Sequence, residues 1–257
     1  MEGILRNYRT RGVVLKSFDF GEADRIITIY SETKGKIKAV AKGVRRTKSR
    51  FGGRLEPFTY VDLLLVRGRN LDTITGADII CPFSGIKLDL DKTACGFAIV
   101  DLLDKIAAGT EPDLKVFYLL LNTLELLDRG ATETGALLAA FDLKIMCLSG
   151  YLPELTVCGF CKDSELETGS LFSFERGTMV CPSCAGQAGT AKKTGAETLD
   201  FLRSVVSSEM TEVAPVELSA GARNESIAWV RDYVDYYLGA RLKSREYLQK
   251  IEGEKSS

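Results

Sequence analysis

Two C-x2-C pairs, Cys158 with Cys161 and Cys181 with Cys184, constrain this chain of 257 residues more than any other feature. A two-residue spacer bends the backbone so that both thiolates of a pair point at one centre. Two such knuckles, brought together by a hairpin, make a tetrahedral sulfur cage suited to Zn2+. Nineteen residues separate the pairs. Gly159 is expected to permit the tight turn of the first knuckle, and Pro182 to stiffen the second. Between them, Gly169 to Arg176, with Phe172 and Phe174, reads as a short strand. The pattern is that of a zinc ribbon holding one structural ion, because four thiolates leave no position open for water or substrate and a catalytic zinc needs one.

Two disulfides or two redox pairs are the competing reading of the same cysteines. Structural disulfides belong to oxidising compartments, and no N-terminal apolar stretch resembles a signal peptide. The longest apolar runs, Val116 to Leu121 and Ala136 to Phe141, fall far short of the roughly 20 residues a membrane span needs. The expectation is therefore a soluble, cytoplasmic protein, associated with the nucleoid when active, with no membrane partner. Cys81, Cys95 and Cys147 stand alone among apolar neighbours and read as buried thiols rather than ligands.

Histidine is absent. That removes the commonest general base and any Ser-His or Cys-His nucleophile system; an enzyme working through carboxylates or lysines stays open, but the expectation is a non-enzyme. The formal charge of −1 conceals a division. Residues 1–80 carry sixteen Lys/Arg against nine Asp/Glu, and the rest carries eighteen against twenty-six. A basic module joined to an acidic body points to a polyanionic ligand for the first part.

That first part reads as five short strands: Gly12 to Phe18, Asp24 to Tyr30, Lys36 to Lys42, Phe58 to Arg67 and Leu71 to Ile80. β-Branched and aromatic residues fill them, and Gly-, Asp- and Lys-rich turns separate them. A small closed barrel such as the OB-fold accommodates this, and an SH3-like barrel would also fit. From Leu88 the period changes. Leu88 to Ala108, Pro112 to Asp128 and Thr134 to Ser149 carry apolar residues at helical spacing, with Pro112 in a first turn, Asp113 beside it and Gly130 as a stop. After the ribbon, Ala196 to Met210 and Ala222 to Ile251 read as helices. Trp229, Tyr233, Tyr236 and Tyr237 lie at helical spacing on the last one, and read as a core stripe packing on the preceding helices rather than as a base-stacking platform. The fold class is α+β, divided into a five-stranded barrel domain, OB-fold or SH3-like, expected to bind nucleic acid (1–80), an α-helical domain (81–155 and 191–257) and a four-cysteine zinc ribbon (156–190).

Between Lys34 and Arg54 there are nine basic residues and no acidic ones. Lys36, Lys38 and Lys42 share one face of a strand by its period of two, with Ile37, Ala39 and Ala41 on the other. Arg45, Arg46, Lys48 and Arg50 then fall on a Gly-flanked loop expected to be mobile, and Arg54 closes the segment. Such a surface attracts phosphates without base specificity, through the release of condensed counterions. Phe51, Phe58 and Tyr60 lie nearby, as stacking candidates or as barrel core.

Residues 21–35 (GEADRIITIYSETKG) and 39–49 (AVAKGVRRTKS) resemble the start of the bacterial RecO family of DNA repair proteins. The resemblance continues through 55–58 (LEPF), 67–74 (RGRNLDTI), the four-cysteine ribbon and the terminal 242–245 (LKSR). It implies an OB-fold followed by a helical domain interrupted by a zinc ribbon. It also implies a recombination mediator that binds single- and double-stranded DNA, anneals complementary strands, including those coated by single-stranded DNA-binding protein, and with RecR helps load the RecA recombinase. RecF stands beside RecA as a further candidate partner in the same pathway. The family's basic positions match at Lys42, Arg45, Arg46 and Lys48, and its ribbon at all four cysteines.

Two other readings compete. A zinc-ribbon and OB-type RNA-binding module of transcription or translation would prefer folded RNA and would not anneal DNA. A metal-dependent nuclease would need clustered carboxylates. Asp89 with Asp91, or Asp101 with Asp104, come nearest to that, and helical surface charge explains them better.

Overall fold

The computed structural model describes residues 7–107, 111–130, 133–164, 166, 170–213, 217–239 and 244. Five strands form a closed barrel: β1 (Asn7–Phe20), β2 (Asp24–Ser31), β3 (Gly35–Ala41), β4 (Tyr60–Val66) and β5 (Asp72–Cys81), in the order β1-β2-β3-β5-β4. All neighbours are antiparallel except β3 and β5, which meet in parallel at Ala39/Asp72 and Val40/Thr73. β1 pairs with both β2 and β4 and so closes the ring. This is the OB-type barrel, and each strand was legible in the sequence to within a few residues. β1 is longer than expected because its early half, Asn7 to Arg11, pairs only with β4.

Alternation fills the barrel. Val14, Ile27, Ile29, Ala39, Ala41, Val61, Leu63, Leu65 and Ile74 form its core, joined by Phe51 and Leu55 from the β3–β4 connection. β1 departs from strict alternation: its pairing with β2 slips between Val14 and Lys16, and Val13, Val14 and Leu15 are all fully buried. A β-bulge of this kind re-aims side chains, so one strand can serve two packing surfaces. The second surface is helical, since α2 (Leu90–Ile106) packs against β1.

Helices α2 and α3 (Leu114–Arg129) belong with the barrel. The compact units divide between Asp128 and Arg129, not at residue 80. The physical reason is visible in the contacts: Phe97 meets Phe58 edge-on at 4.9 Å, Phe117 meets Tyr60 at 6.0 Å, and Lys16 and Lys36 reach Asp101 and Asp104. Asp89 caps α2 by accepting from the Lys92 N–H, and Asp113 caps α3 by accepting from Lys115 and Val116. Pro112 therefore precedes the cap of α3 instead of lying in its first turn. A short helix α1 (Ser84–Lys87) links barrel and helices. Gly130, with φ of 67°, ends α3 as expected.

In the second unit, α4 (Thr134–Leu148) is apolar nearly all round and buried accordingly, against α5 (Ala196–Ser207), α6 (Met210–Val213) and α7 (Ala220–Leu238). The Lys144 ammonium donates to the carbonyls of Val205 and Ser208, closing the end of α5, and burial draws its pKa down. The helix expected over Ala222 to Ile251 ends earlier. Gly239 takes a left-handed φ of 63° and its N–H donates to the Asp235 carbonyl, a cap that only a residue without a Cβ adopts cheaply. Residues 240–257, apart from Ser244, lie outside the described residues, as do Lys243 and Arg245.

Candidate nucleic-acid interface and metal centre

The ribbon is a four-stranded sheet in the order β6-β8-β7-β9, made of β6 (Glu154–Cys158), β7 (Leu171–Ser173), β8 (Thr178–Val180) and β9 (Ala191–Lys193). The strand expected over Gly169 to Arg176 is thus shorter, because Phe174 to Gly177 form the hairpin turn. β9 pairs with β7 and extends the sheet beyond residue 190. In the first knuckle, Lys162 rather than Gly159 takes positive φ, at 64°, and its N–H donates to the Cys158 carbonyl. Gly159 is needed for a different reason. A Cβ there would sit 2.3 Å from Cγ2 of Thr178, so only glycine lets the knuckle lie on β8. In the second knuckle Pro182 opens the 3-10 turn Pro182–Gln187, and the Cys184 N–H donates to the Cys181 carbonyl.

These turns bring the sulfurs of Cys158, Cys161, Cys181 and Cys184 within 4.8 Å of one another, and that of Cys161 lies 3.7 Å from that of Cys181. A tetrahedral ion with sulfurs at about 2.3 Å requires edges of about 3.8 Å. All four are free thiols, Cys161 exposed and the others buried. Their titration is in conflict. Burial opposes ionisation of Cys158, but hydrogen bonds from the backbone of Cys181, Cys161 and Phe160 bring its pKa down to about 6. Its hydrogen bond with Cys181 and then burial push the Cys184 thiol up to about 12. Four thiolates this close repel, and a divalent cation among them removes the repulsion. The donor set therefore fits a metal. Of the remaining cysteines, only Cys95 is fully buried. Cys81 and Cys147 are half-buried, and burial pushes Cys147 up to about 11.

The aromatic stripe of α7 packs on this ribbon. Trp229 and Tyr233 are fully buried and stack at 5.2 Å, with Phe172 4.6 Å from Trp229 and Phe174 5.9 Å away. The stripe is core, but its partners include the ribbon hairpin as well as helix α4. Tyr237 donates to the Phe174 carbonyl, and Tyr236 is exposed.

The basic segment sorts into two groups. Lys36 is half-buried and pairs with Asp104 at 2.7 Å. Arg45 is exposed but reaches Asp19 at 3.3 Å and the Gly21 carbonyl. Arg54 donates to the Arg50 carbonyl, and Arg50 lies over the Phe51 ring at 4.9 Å. Lys38, Lys42, Arg46 and Lys48 are exposed and, among the described residues, pair with no carboxylate. The loop expected to be mobile is anchored. The Gly43 N–H donates to Asp24, the Arg45 N–H to the Ala23 carbonyl and the Ser49 N–H to the Arg46 carbonyl, while Phe51 and Leu55 sit in the barrel core. Phe51 and Phe58 are therefore core rather than stacking candidates, and Tyr60 is half-buried against Phe117.

Two residues that the sequence left unremarked stand beside this surface: Phe18 is 59% and Phe20 50% exposed at the end of the β1–β2 hairpin. The available signal was their alternate spacing at a strand end, two positions apart on one face. The carboxylates of the nuclease reading are otherwise engaged. Asp101 and Asp104 hold Lys16 at 2.7 and 2.9 Å, and Asp89 caps α2. Among the described residues, the four cysteines form the one cluster of metal-ligating groups. Among the described residues, no helix is long and apolar enough to cross a membrane.

Comparison with known proteins agrees with this geometry. Residues 5–83 match the family described as recombination protein O, N terminal, and residues 87–246 match recombination protein O, C terminal. The chain is similar to the DNA repair protein RecO of a Nocardioides species, with 38% identity over 95% of this chain and 99% of that protein. It is also similar to RecO of Desulforamulus reducens, with 33% identity over 96% of each chain. With RecO of Rubrobacter xylanophilus it shares 42% identity over 70% of this chain and 73% of that protein.

Proposed function

The chain belongs to the RecO family of DNA repair proteins, and on that footing we propose that it is a recombination mediator that binds DNA, anneals complementary strands and helps load RecA onto protein-coated single strands. One observation supports the reading above others. Lys38, Lys42, Arg46 and Lys48 lie exposed on an OB-type barrel and, among the described residues, form no ion pair with a carboxylate.

The mechanism needs no covalent chemistry. Complementary strands repel through their phosphates, and a protein coat on either strand blocks pairing. A basic barrel screens the repulsion and raises local strand concentration. Contacts confined to phosphates leave base edges free, so pairing between the strands supplies sequence selectivity. Cys158, Cys161, Cys181 and Cys184 would hold one Zn2+ whose role is to fix the ribbon. With Trp229 and Tyr233 packed on Phe172, ribbon and α7 become one core. RecR and single-stranded DNA-binding protein are the proposed protein partners, with RecA and RecF downstream, in the cytoplasm.

Annealing of complementary oligonucleotides, with and without the cognate single-stranded DNA-binding protein, tests this. Acceleration in both conditions is expected. No acceleration, together with preference for a folded RNA, would favour the RNA-binding alternative.

A further inference from the structure

We propose that Phe18 and Phe20 form a base-stacking platform for single-stranded nucleic acid at the tip of the β1–β2 hairpin. The inference rests on the reading of the basic face as the nucleic-acid surface and assigns the base contacts that reading leaves open.

The strand register places both rings on the outside of the barrel. Ile27 and Ala39 face the core, so their neighbours Ile26 and Val40 face outward. Phe18 lies opposite Ile26, and Ile26 lies opposite Val40. Directly opposed residues share a face, which makes Phe18, Ile26 and Val40 one outer row. Lys38 stands two residues from Val40 on the same face and is exposed. Phe20 is two residues beyond Phe18, a step of about 7 Å along a strand. Two rings at that step can each take one base of a stretched strand.

The platform is fixed to the cations. Asp19, between the two phenylalanines, accepts from Arg25 at 3.0 Å and pairs with Arg45 at 3.3 Å. The Arg45 N–H donates to the Ala23 carbonyl in the hairpin turn. The hairpin carrying the rings and the loop carrying Arg46 and Lys48 are thereby held to each other through the strand face opposite the rings. Single exposed apolar residues need no explanation. Two phenylalanines on one face, half or more exposed, with the exposed Lys38 on that same face and Asp24 opposite Phe20, resemble the combination that non-specific single-strand binders use: rings for bases, charges for the backbone. Charge favours this occupant over an apolar peptide: Arg25 and Arg45 neutralise Asp19, and Lys38 on the same face, together with Lys42, Arg46 and Lys48 on the connected loop, outnumber Glu22 and Asp24 of the hairpin.

The test measures affinity of the full chain for a labelled single strand at several salt concentrations, for the unmodified protein, Phe18→Ala, Phe20→Ala, the double variant, Phe18→Leu/Phe20→Leu and Lys42→Ala/Arg46→Ala. A strand of equal length lacking bases is measured in parallel. Each alanine change is expected to weaken binding about 5- to 150-fold while leaving the salt slope as it was, since no phosphate contact is lost. Leucine is expected not to rescue, and the difference between protein and variant should vanish on the abasic strand. Both rings are exposed, so circular dichroism should be unchanged. Were a variant to misfold, the unmodified protein still decides, because equal affinity for normal and abasic strands overturns the platform. So does a double alanine variant within twofold of the unmodified protein, full rescue by leucine, or a variant that keeps its strand affinity but changes sedimentation, which would make the face a contact between two copies. Lys42→Ala/Arg46→Ala reports separately. If it flattens the salt slope, the basic face stands whatever the phenylalanines do, and if it does not, that reading fails on its own.

Discussion

Lys36 and Asp104 meet at 2.7 Å, so this cation of the acid-free segment is tied into the protein and not presented to a ligand. The same carboxylate takes Lys16 at 2.9 Å, and one aspartate of α2 thus joins two strands of the barrel. Lys36→Ala is expected to lower stability by about 1 kcal/mol, the scale of a partly exposed ion pair, without changing the salt dependence of DNA binding. Urea unfolding and a salt titration of the same variant check this. A flattened salt slope would return Lys36 to the DNA face.

The pair also sets a pH dependence. Burial alone would raise the Asp104 pKa, but the ammonium groups of Lys36 and Lys16 outweigh it and hold the carboxyl below its ordinary 3.8. A carboxylate whose folded value lies below its unfolded one stabilises the fold above the unfolded value, and the gain is lost as pH falls through the folded value. Asp104→Asn should therefore cost about 1 kcal/mol at pH 7, with the difference from the unmodified protein shrinking as pH falls below about 4. Unfolding curves at pH 7 and pH 3 supply the comparison. A difference that persists undiminished at pH 3 would rule out the ionised carboxylate as its source.

Why some of this was legible in the sequence and some was not follows from the kind of information each feature needs. Strands β1 to β5 alternate, and alternation is local. The C-x2-C pairs are local too, and the cage closes where they predict. The association of α2 with the barrel depends on Lys16 meeting Asp101 eighty-five residues away, which no window of sequence displays. Gly159 was recognised as necessary but for the wrong reason, since its need arises from Thr178 on another strand. Lys36 and Lys42 look alike in a basic run, and only the position of Asp104 separates them. Phe51 and Phe18 are both phenylalanines within two residues of a basic one. The barrel core claims one and leaves the other exposed, and that depends on which way each chain segment turns.

Metal should matter to the ribbon and not to the barrel. Zinc sites with four protein ligands supply about 10–16 kcal/mol to the folding of small metal-binding peptides, and here Phe172 links the ribbon to Trp229 in the core of the second unit. Cys161→Ser is expected to reduce bound zinc from one equivalent and to destabilise the second unit by about 2 kcal/mol or more, with single-strand affinity changed little. Metal analysis and thermal unfolding of the purified protein measure both. Four freely titrating thiols in the unmodified protein, with no zinc present, would remove the assignment.

Family membership directs attention to protein partners. The chain is expected to bind RecR and the acidic C-terminal tail of single-stranded DNA-binding protein. Pull-down with intact and tail-deleted single-stranded DNA-binding protein distinguishes the tail from the rest of that partner. Undiminished capture of the tail-deleted form would show that the tail is not the determinant.

Phosphate contact has a quantitative signature. Lys38, Lys42, Arg46 and Lys48 are exposed cations of the proposed DNA face that pair with no carboxylate among the described residues, and each phosphate neutralised on a single strand contributes about −0.7 to the slope of log K against log salt. Four contacts predict a slope of about −2.8. Arg46→Ala should flatten it by about 0.7 and weaken binding to unrelated sequences about equally, because a phosphate contact carries no base information. Arg45 pairs with Asp19, so reversing charge at Arg45 and Arg46 together both releases the loop from the hairpin and repels the strand. That double variant should lose annealing while keeping zinc content and helicity. Were the DNA instead to run over basic residues of the C-terminal part, Lys243 and Arg245 of the 242–245 segment would be candidates; Lys243→Ala/Arg245→Ala should leave the slope unchanged. A wild-type slope in the Arg45/Arg46 variant, with loss in the Lys243/Arg245 variant, would place the DNA away from the barrel.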